Sequence, residues 1–113
     1  MYSYLIIGNK WGSVIYNILK SLNKKVNFKT INFSKTNKKK YLEKFDKVIS
    51  ESKADIIWLA IPPFDYLSIS NIMVKFKKNV IFEKPWIFSK EDTLKISNNF
   101  NKNNLKNAVN FEY

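Results

Sequence analysis

The sequence predicts a doubly wound α/β domain, a mostly parallel sheet of about five strands with helices on both faces. Three observations carry this. Short apolar runs of strand length alternate along the whole chain with segments whose apolar residues recur every three or four positions. The most hydrophobic run, DIIWLAI (55–61), lies mid-chain, as a central parallel strand covered on both faces requires. The only two glycines, Gly8 and Gly12, fall together where the first strand turns into the first helix.

In chain order, YLII (4–7) is a buried strand that ends at a glycine. After Gly12, Val14, Ile15, Ile18, Leu19 and Leu22 form the one-sided stripe of a helix. VNFKTINF (26–33) is a second strand, half polar and therefore expected near a sheet edge. Tyr41, Leu42, Phe45, Val48 and Ile49 mark a second helix, and the central strand 55–61 follows. Tyr66, Ile69, Ile72, Met73 and Phe76 give a third helix, and NVIF (79–82) a fourth strand. Ser89 with Asp92 resembles a capping box opening a fourth helix that runs to about Phe100. LKNAVNFEY (105–113) alternates at Val109, Phe111 and Tyr113 like a fifth strand. The order β-α-β-α-β-α-β-α-β, with no linker or repeat, makes residues 1–113 a single domain with right-handed crossovers.

Composition narrows the chemistry. The chain has no Cys and no His, which excludes disulfide scaffolds, thiolate metal sites and His-assisted nucleophiles. No metal site is expected. All 20 basic residues are Lys, giving a net charge of +11, and Arg, the residue that reads guanine edges and grips phosphate bidentately, is absent. Lys and Asn crowd together in KTNKKK (35–40) and NNFNKNNLKN (98–107), as an AT-rich genome would also produce, so the charge by itself names no partner. The longest apolar stretch, IIWLAIPPF (56–64), is far short of the roughly 18 residues of a membrane span. Neither a membrane nor a specific nucleic acid is an expected partner, and a cytoplasmic location is the expectation.

The glycine pair points to a ligand. A helix that starts just after a strand offers free amide donors and the positive end of its dipole to a phosphate. The dinucleotide fingerprint at this place is G-x-G-x-x-G. Here the loop is Gly8-Asn9-Lys10-Trp11-Gly12, one residue shorter and without the middle glycine, and Lys10 would set an ammonium near the phosphates. The competing reading is that Gly8 merely permits the turn and Gly12 lets the helix pack on the strand. At the end of the second strand, where a carboxylate would hold the ribose hydroxyls of NAD, the chain has Asn32, Ser34 and Lys35. Ser34, Lys35 and nearby Lys38 suit a 2′-phosphate, which favours NADP over NAD.

The segments IIGNKWGS (6–13), ADIIWLAIPPFDY (54–66) and NVIFEKPWIFSKED (79–92) resemble the Gfo/Idh/MocA family of NAD(P)-dependent oxidoreductases over nearly the whole chain, most specifically at Glu83-Lys84-Pro85. The resemblance implies a Rossmann-like, dinucleotide-binding domain. By position it makes Lys84 the candidate catalytic residue beside the nicotinamide, with Glu83 and Pro85 shaping its turn and Pro62 and Pro63 lining the cofactor groove. A Lys-Pro pair at the carboxyl end of a parallel strand would aim the ammonium into the ligand crevice even without the family. Tyr66 stands where the family often has a His.

The family's second domain, which carries the substrate-binding residues, is not in these 113 residues, so a truncated protein that is not catalytic alone is the expectation. The implied reaction is hydride transfer between nicotinamide and a sugar-like or cyclitol substrate, with a small-molecule substrate engaged only if a second domain is supplied. Two other readings stay open. One is a degenerate module acting in protein interaction or dimerisation, and the other a Lys-rich polyanion binder. An uncovered fifth strand at the sheet edge predicts marginal stability or a homo-oligomer.

Overall fold

A computed structural model describes residues 2–8, 10–31, 38–61, 66–83 and 90–110. Nine elements alternate: β1 (Ser3–Gly8), α1 (Lys10–Ser21), β2 (Lys25–Lys29), α2 (Lys38–Glu51), β3 (Ile56–Ala60), α3 (Tyr66–Lys75), β4 (Asn79–Glu83), α4 (Lys90–Lys102) and β5 (Asn107–Asn110). The five strands form one parallel sheet in the order β2-β1-β3-β4-β5. The predicted class and element order hold. β3 is central, and the half-polar β2 is an edge.

Four boundaries differ from expectation. α1 begins at Lys10, so Gly12 lies inside its first turn and not in the loop before it. β2 stops at Lys29, short of the expected 33, because Thr30 leaves the ladder and its hydroxyl donates to the carbonyl of Gly8 at 3.1 Å. α4 extends to Lys102, with Glu91 and Asp92 complementing the positive end of the helix dipole. β5 covers Asn107–Asn110, and Ser89, Phe111 and Tyr113 lie outside the described residues.

Strand alternation sorts side chains onto two faces. Leu5, Ile7, Ile57, Leu59, Val80 and Phe82 point to one face, where they pack against Tyr41, Phe45 and Ile49 of α2, Ile69 and Met73 of α3, and Ile96 and Phe100 of α4. Ile6, Val26, Phe28, Trp58 and Ala60 point to the other and meet Ile15, Tyr16 and Leu19 of α1. This division follows from right-handed crossovers. The chain steps one way from β1 to β2 and the other way at every later step, so α1 lies alone on its side.

With both glycines committed elsewhere, the helices stop without one. Asn23, Lys77 and Asn104 adopt left-handed φ values of 58°, 56° and 57°, each two residues past the end of α1, α3 and α4. At each stop the next amide reaches back to a carbonyl of the last turn: Lys24 to Leu19, Lys78 to Met73 and Leu105 to Phe100, at 2.9–3.1 Å. These are Schellman closures. The Lys78 ammonium also donates to the carbonyls of Ser52 and Ala54 at 2.9 and 2.7 Å, fixing the entry to β3.

At the same amino ends of the strands, the Asp55 carboxylate accepts from the Ser3 amide and hydroxyl at 3.0 and 3.1 Å. These hydrogen bonds hold its pKa below the ordinary carboxylate value. A group whose folded pKa is depressed contributes stability above its unfolded pKa and loses it as the pH falls through the folded one. Asp55→Asn therefore lowers the melting temperature at neutral pH, and this deficit disappears as acid protonates the native carboxyl. A deficit that does not change with pH would assign the loss to something other than the charge.

Candidate functional site

The strand order reverses at β1, which leads to β2 on one side and to β3 on the other. In open α/β sheets the crevice outside the carboxyl ends of the strands at such a point is where ligands bind. The sequence puts Gly8 there as the last residue of β1, paired with Ala60 at the end of β3.

Both glycines are required for space, since neither has a positive φ. A Cβ on Gly8 would stand 2.6 Å from the Ala60 carbonyl oxygen and 3.0 Å from the Ala60 Cβ. The two strands touch backbone to backbone at the crevice floor. A Cβ on Gly12 would stand 2.9 Å from the Phe28 ring, 3.4 Å from Ile6 and 3.5 Å from Ala60. Gly12 thus lets α1 settle close onto β1, β2 and β3, which is the packing role the competing reading gave it. Close seating brings the N-terminus of α1 down to the strand ends. Its first turn has no acidic residue, so no carboxylate within that turn opposes an anion at the N-terminal amides.

Thr30 and Ala60 were missed by the sequence reading. The Thr30 hydroxyl, donating to the Gly8 carbonyl, holds the end of β1 from the β2 side, and Ala60 supplies the small surface that Gly8 needs from the β3 side. A signal existed for each: a hydroxyl residue at the end of an edge strand, and the lone small residue closing the IIWLA run.

The structure brings Gly8, Lys10, Trp11 and Gly12 together at the β1–α1 junction, and it makes Glu83 the last residue of β4, paired in register with Asn110. Asn9, Asn32, Ser34, Lys35, Pro62, Pro63, Lys84 and Pro85 lie outside the described residues. Lys38, Lys39 and Lys40 form the opening of α2. Among the described residues there is no cluster of metal-ligating side chains, and no helix is long and apolar enough to cross a membrane.

No family model and no curated protein sequence matches the chain. Solved structures do. An NAD-binding protein from Listeria innocua superposes with a TM-score of 0.72 at 20% identity, over 96% of this chain and 34% of that one. The WlbA dehydrogenase from Chromobacterium violaceum, solved with NADH and UDP-GlcNAcA, gives 0.73 at 15% identity, over 96% and 35%. A biliverdin reductase from Synechocystis, solved with biliverdin and NADP+, gives 0.71 at 13% identity, over 96% and 37%. The chain has the fold of a part of these proteins and spans about a third of their length.

Proposed function

We propose that this chain is a nicotinamide dinucleotide-binding domain of the Gfo/Idh/MocA type. The observation that carries the reading is the close Gly8–Ala60 contact and the seating of Gly12 on Phe28, which bring the N-terminus of α1, with no acidic residue in its first turn, to the ends of β1 and β3. A pyrophosphate suits that helix N-terminus: the missing Cβ atoms let β3 and α1 seat closely, which brings the helix amides to the strand ends, and the dipole and Lys10 supply positive charge. When bound, the dinucleotide supplies hydride transfer at its nicotinamide ring. This chain's own residues bind and orient it, and Lys84, following the last residue of β4, is the residue proposed to move a proton at the substrate's hydroxyl or carbonyl oxygen. The substrate class, sugar-like or cyclitol, rests on the family resemblance alone, and its binding falls to a second domain or a partner.

NADP is favoured over NAD by a further observation. Lys38, Lys39 and Lys40 all stand in the first turn of α2, where cations oppose the helix dipole. A 2′-phosphate bound among Ser34, Lys35 and Lys38 would offset that repulsion. Titration of the purified chain with NADPH and NADH, read by nicotinamide fluorescence, tests both points. Saturable binding with NADPH the tighter ligand is expected. Tighter binding of NADH would remove the 2′-phosphate assignment, and a folded chain that binds neither would remove the cofactor site.

A further inference from the structure

The two ladders on β1 end at different heights. Toward β3 the pairing runs to Gly8 and Ala60, but toward β2 it stops one rung sooner, at Ile7 and Lys29. Gly8 is buried, and its carbonyl turns to the β2 side, where that last rung is missing. Among the described residues no backbone amide from beyond β2 reaches it, and the Thr30 hydroxyl takes that place at 3.1 Å. A side chain thus closes the sheet at the point where β1 opens into α1.

The hydroxyl is held from both sides along the chain. Lys29 before it lies in the ladder, and Ile31 after it packs against the core that contains α2 and α3. Thr30 itself is exposed, and branching at its Cβ restricts χ1. The donor is therefore set in place before any ligand arrives. A peptide unit is planar, so fixing its carbonyl fixes the direction in which its amide points. The unit that carries the Gly8 carbonyl is the one that leads into the free N-terminal amides of α1.

We propose that Thr30 is a positioning residue of the dinucleotide site, its hydroxyl orienting the Gly8 peptide and through it the amides that meet the pyrophosphate. The assignment rests on the cofactor reading. Thr30 acts through the main chain and does not itself touch the nucleotide. Without the hydroxyl a buried carbonyl loses its donor, and the peptide turns toward water at the mouth of the crevice. The pyrophosphate is common to NADPH and NADH, so the effect is the same for both. The 2′-phosphate is assigned to Ser34, Lys35 and Lys38, further along the chain, and is a separate contact.

The test is a nicotinamide fluorescence titration of the full chain with NADPH and with NADH, in the parent, Thr30→Val, Thr30→Ala and Thr30→Ser. Thr30→Val keeps the branched shape and removes the donor. It is expected to weaken both nucleotides at least about fivefold and to leave their affinity ratio unchanged. Thr30→Ala is expected to do the same, and Thr30→Ser, which keeps the hydroxyl, to bind within about twofold of the parent. Circular dichroism melts check that each titration compares folded protein, and either donor-free variant decides the point if the other does not fold. Donor-free variants that bind like the parent overturn the assignment while the cofactor site stands. A loss confined to NADPH moves the effect to the 2′-phosphate, and an equal loss in Thr30→Ser and Thr30→Val moves it to the methyl group; either overturns the proposal. A folded parent that binds neither nucleotide removes the cofactor site, and this assignment with it.

Discussion

Gly8→Ala costs the fold about 3 kcal/mol or more, although it adds one methyl group. The added carbon would lie 2.6 Å from the Ala60 carbonyl oxygen, which is main chain in the neighbouring strand. No rotamer change relieves that contact. β1 and β3 would have to part at the crevice floor, opening the ladder that runs from Tyr4–Ile56 to Gly8–Ala60. In a domain of this size each kcal/mol shifts the melting temperature by about 4–8 °C, so a fall of roughly 15 °C is expected. Gly12→Ala is the informative contrast. Its methyl meets the edge of the Phe28 ring, a side chain free to tilt, and alanine returns up to about 1 kcal/mol of helix propensity. Melts monitored by circular dichroism separate the two. A Gly8→Ala melt within a few degrees of the parent would show that the strands tolerate the spacing.

Lys10→Glu is expected to weaken nicotinamide dinucleotide binding at least about tenfold and to leave the melt unchanged or slightly raised. Lys10 is the first residue of α1, and the helix has no acid in its first turn. A carboxylate there suits the helix dipole, worth about 0.3–1 kcal/mol, and repels a pyrophosphate at the same amides. Folding and binding thus move in opposite directions. An aspartate at Gly12 lacks this property, because it would push α1 off Phe28 as well as confront the ligand. Unchanged affinity in Lys10→Glu would place the phosphates elsewhere.

Much of this architecture is legible from sequence because each strand and helix carries its own periodicity. IIWLA is apolar at every position because β3 is a central strand, packed under α2, α3 and α4 on one face and beside α1 on the other, and KVNFK alternates because β2 is an edge. The boundaries of α1 and β2 are less legible. They depend on tertiary contacts, namely Gly12 under Phe28 and Thr30 on the Gly8 carbonyl, which leave no periodic trace. The helix stops are hidden for a related reason. Asn and Lys take the left-handed position usually given to glycine, so the punctuation at residues 23, 77 and 104 looks like ordinary polar sequence. Of the candidate site, the glycine floor is legible because two glycines in 113 residues stand out. The uneven division of the helices, α1 on one face and α2, α3 and α4 on the other, is not, because it arises from the direction of the crossovers and not from any one segment.

The strand order also governs how the chain can assemble as a ribosome delivers it. The βαβ unit through Lys29 already contains most of one apolar cluster, with Ile6, Ile15, Leu19, Val26 and Phe28 meeting across β1, α1 and β2 before Trp58 and Ala60 of β3 join it. From Ile56 onward, each new strand is added to the edge left by the one before, β3 on β1, β4 on β3 and β5 on β4. No later strand must be threaded between two earlier ones. The long-range closures that slow parallel sheets are therefore met one at a time and in the order of synthesis. A nascent chain of this design grows at one edge of the sheet, and β3, β4 and β5 each arrive to cover the edge left by the strand before.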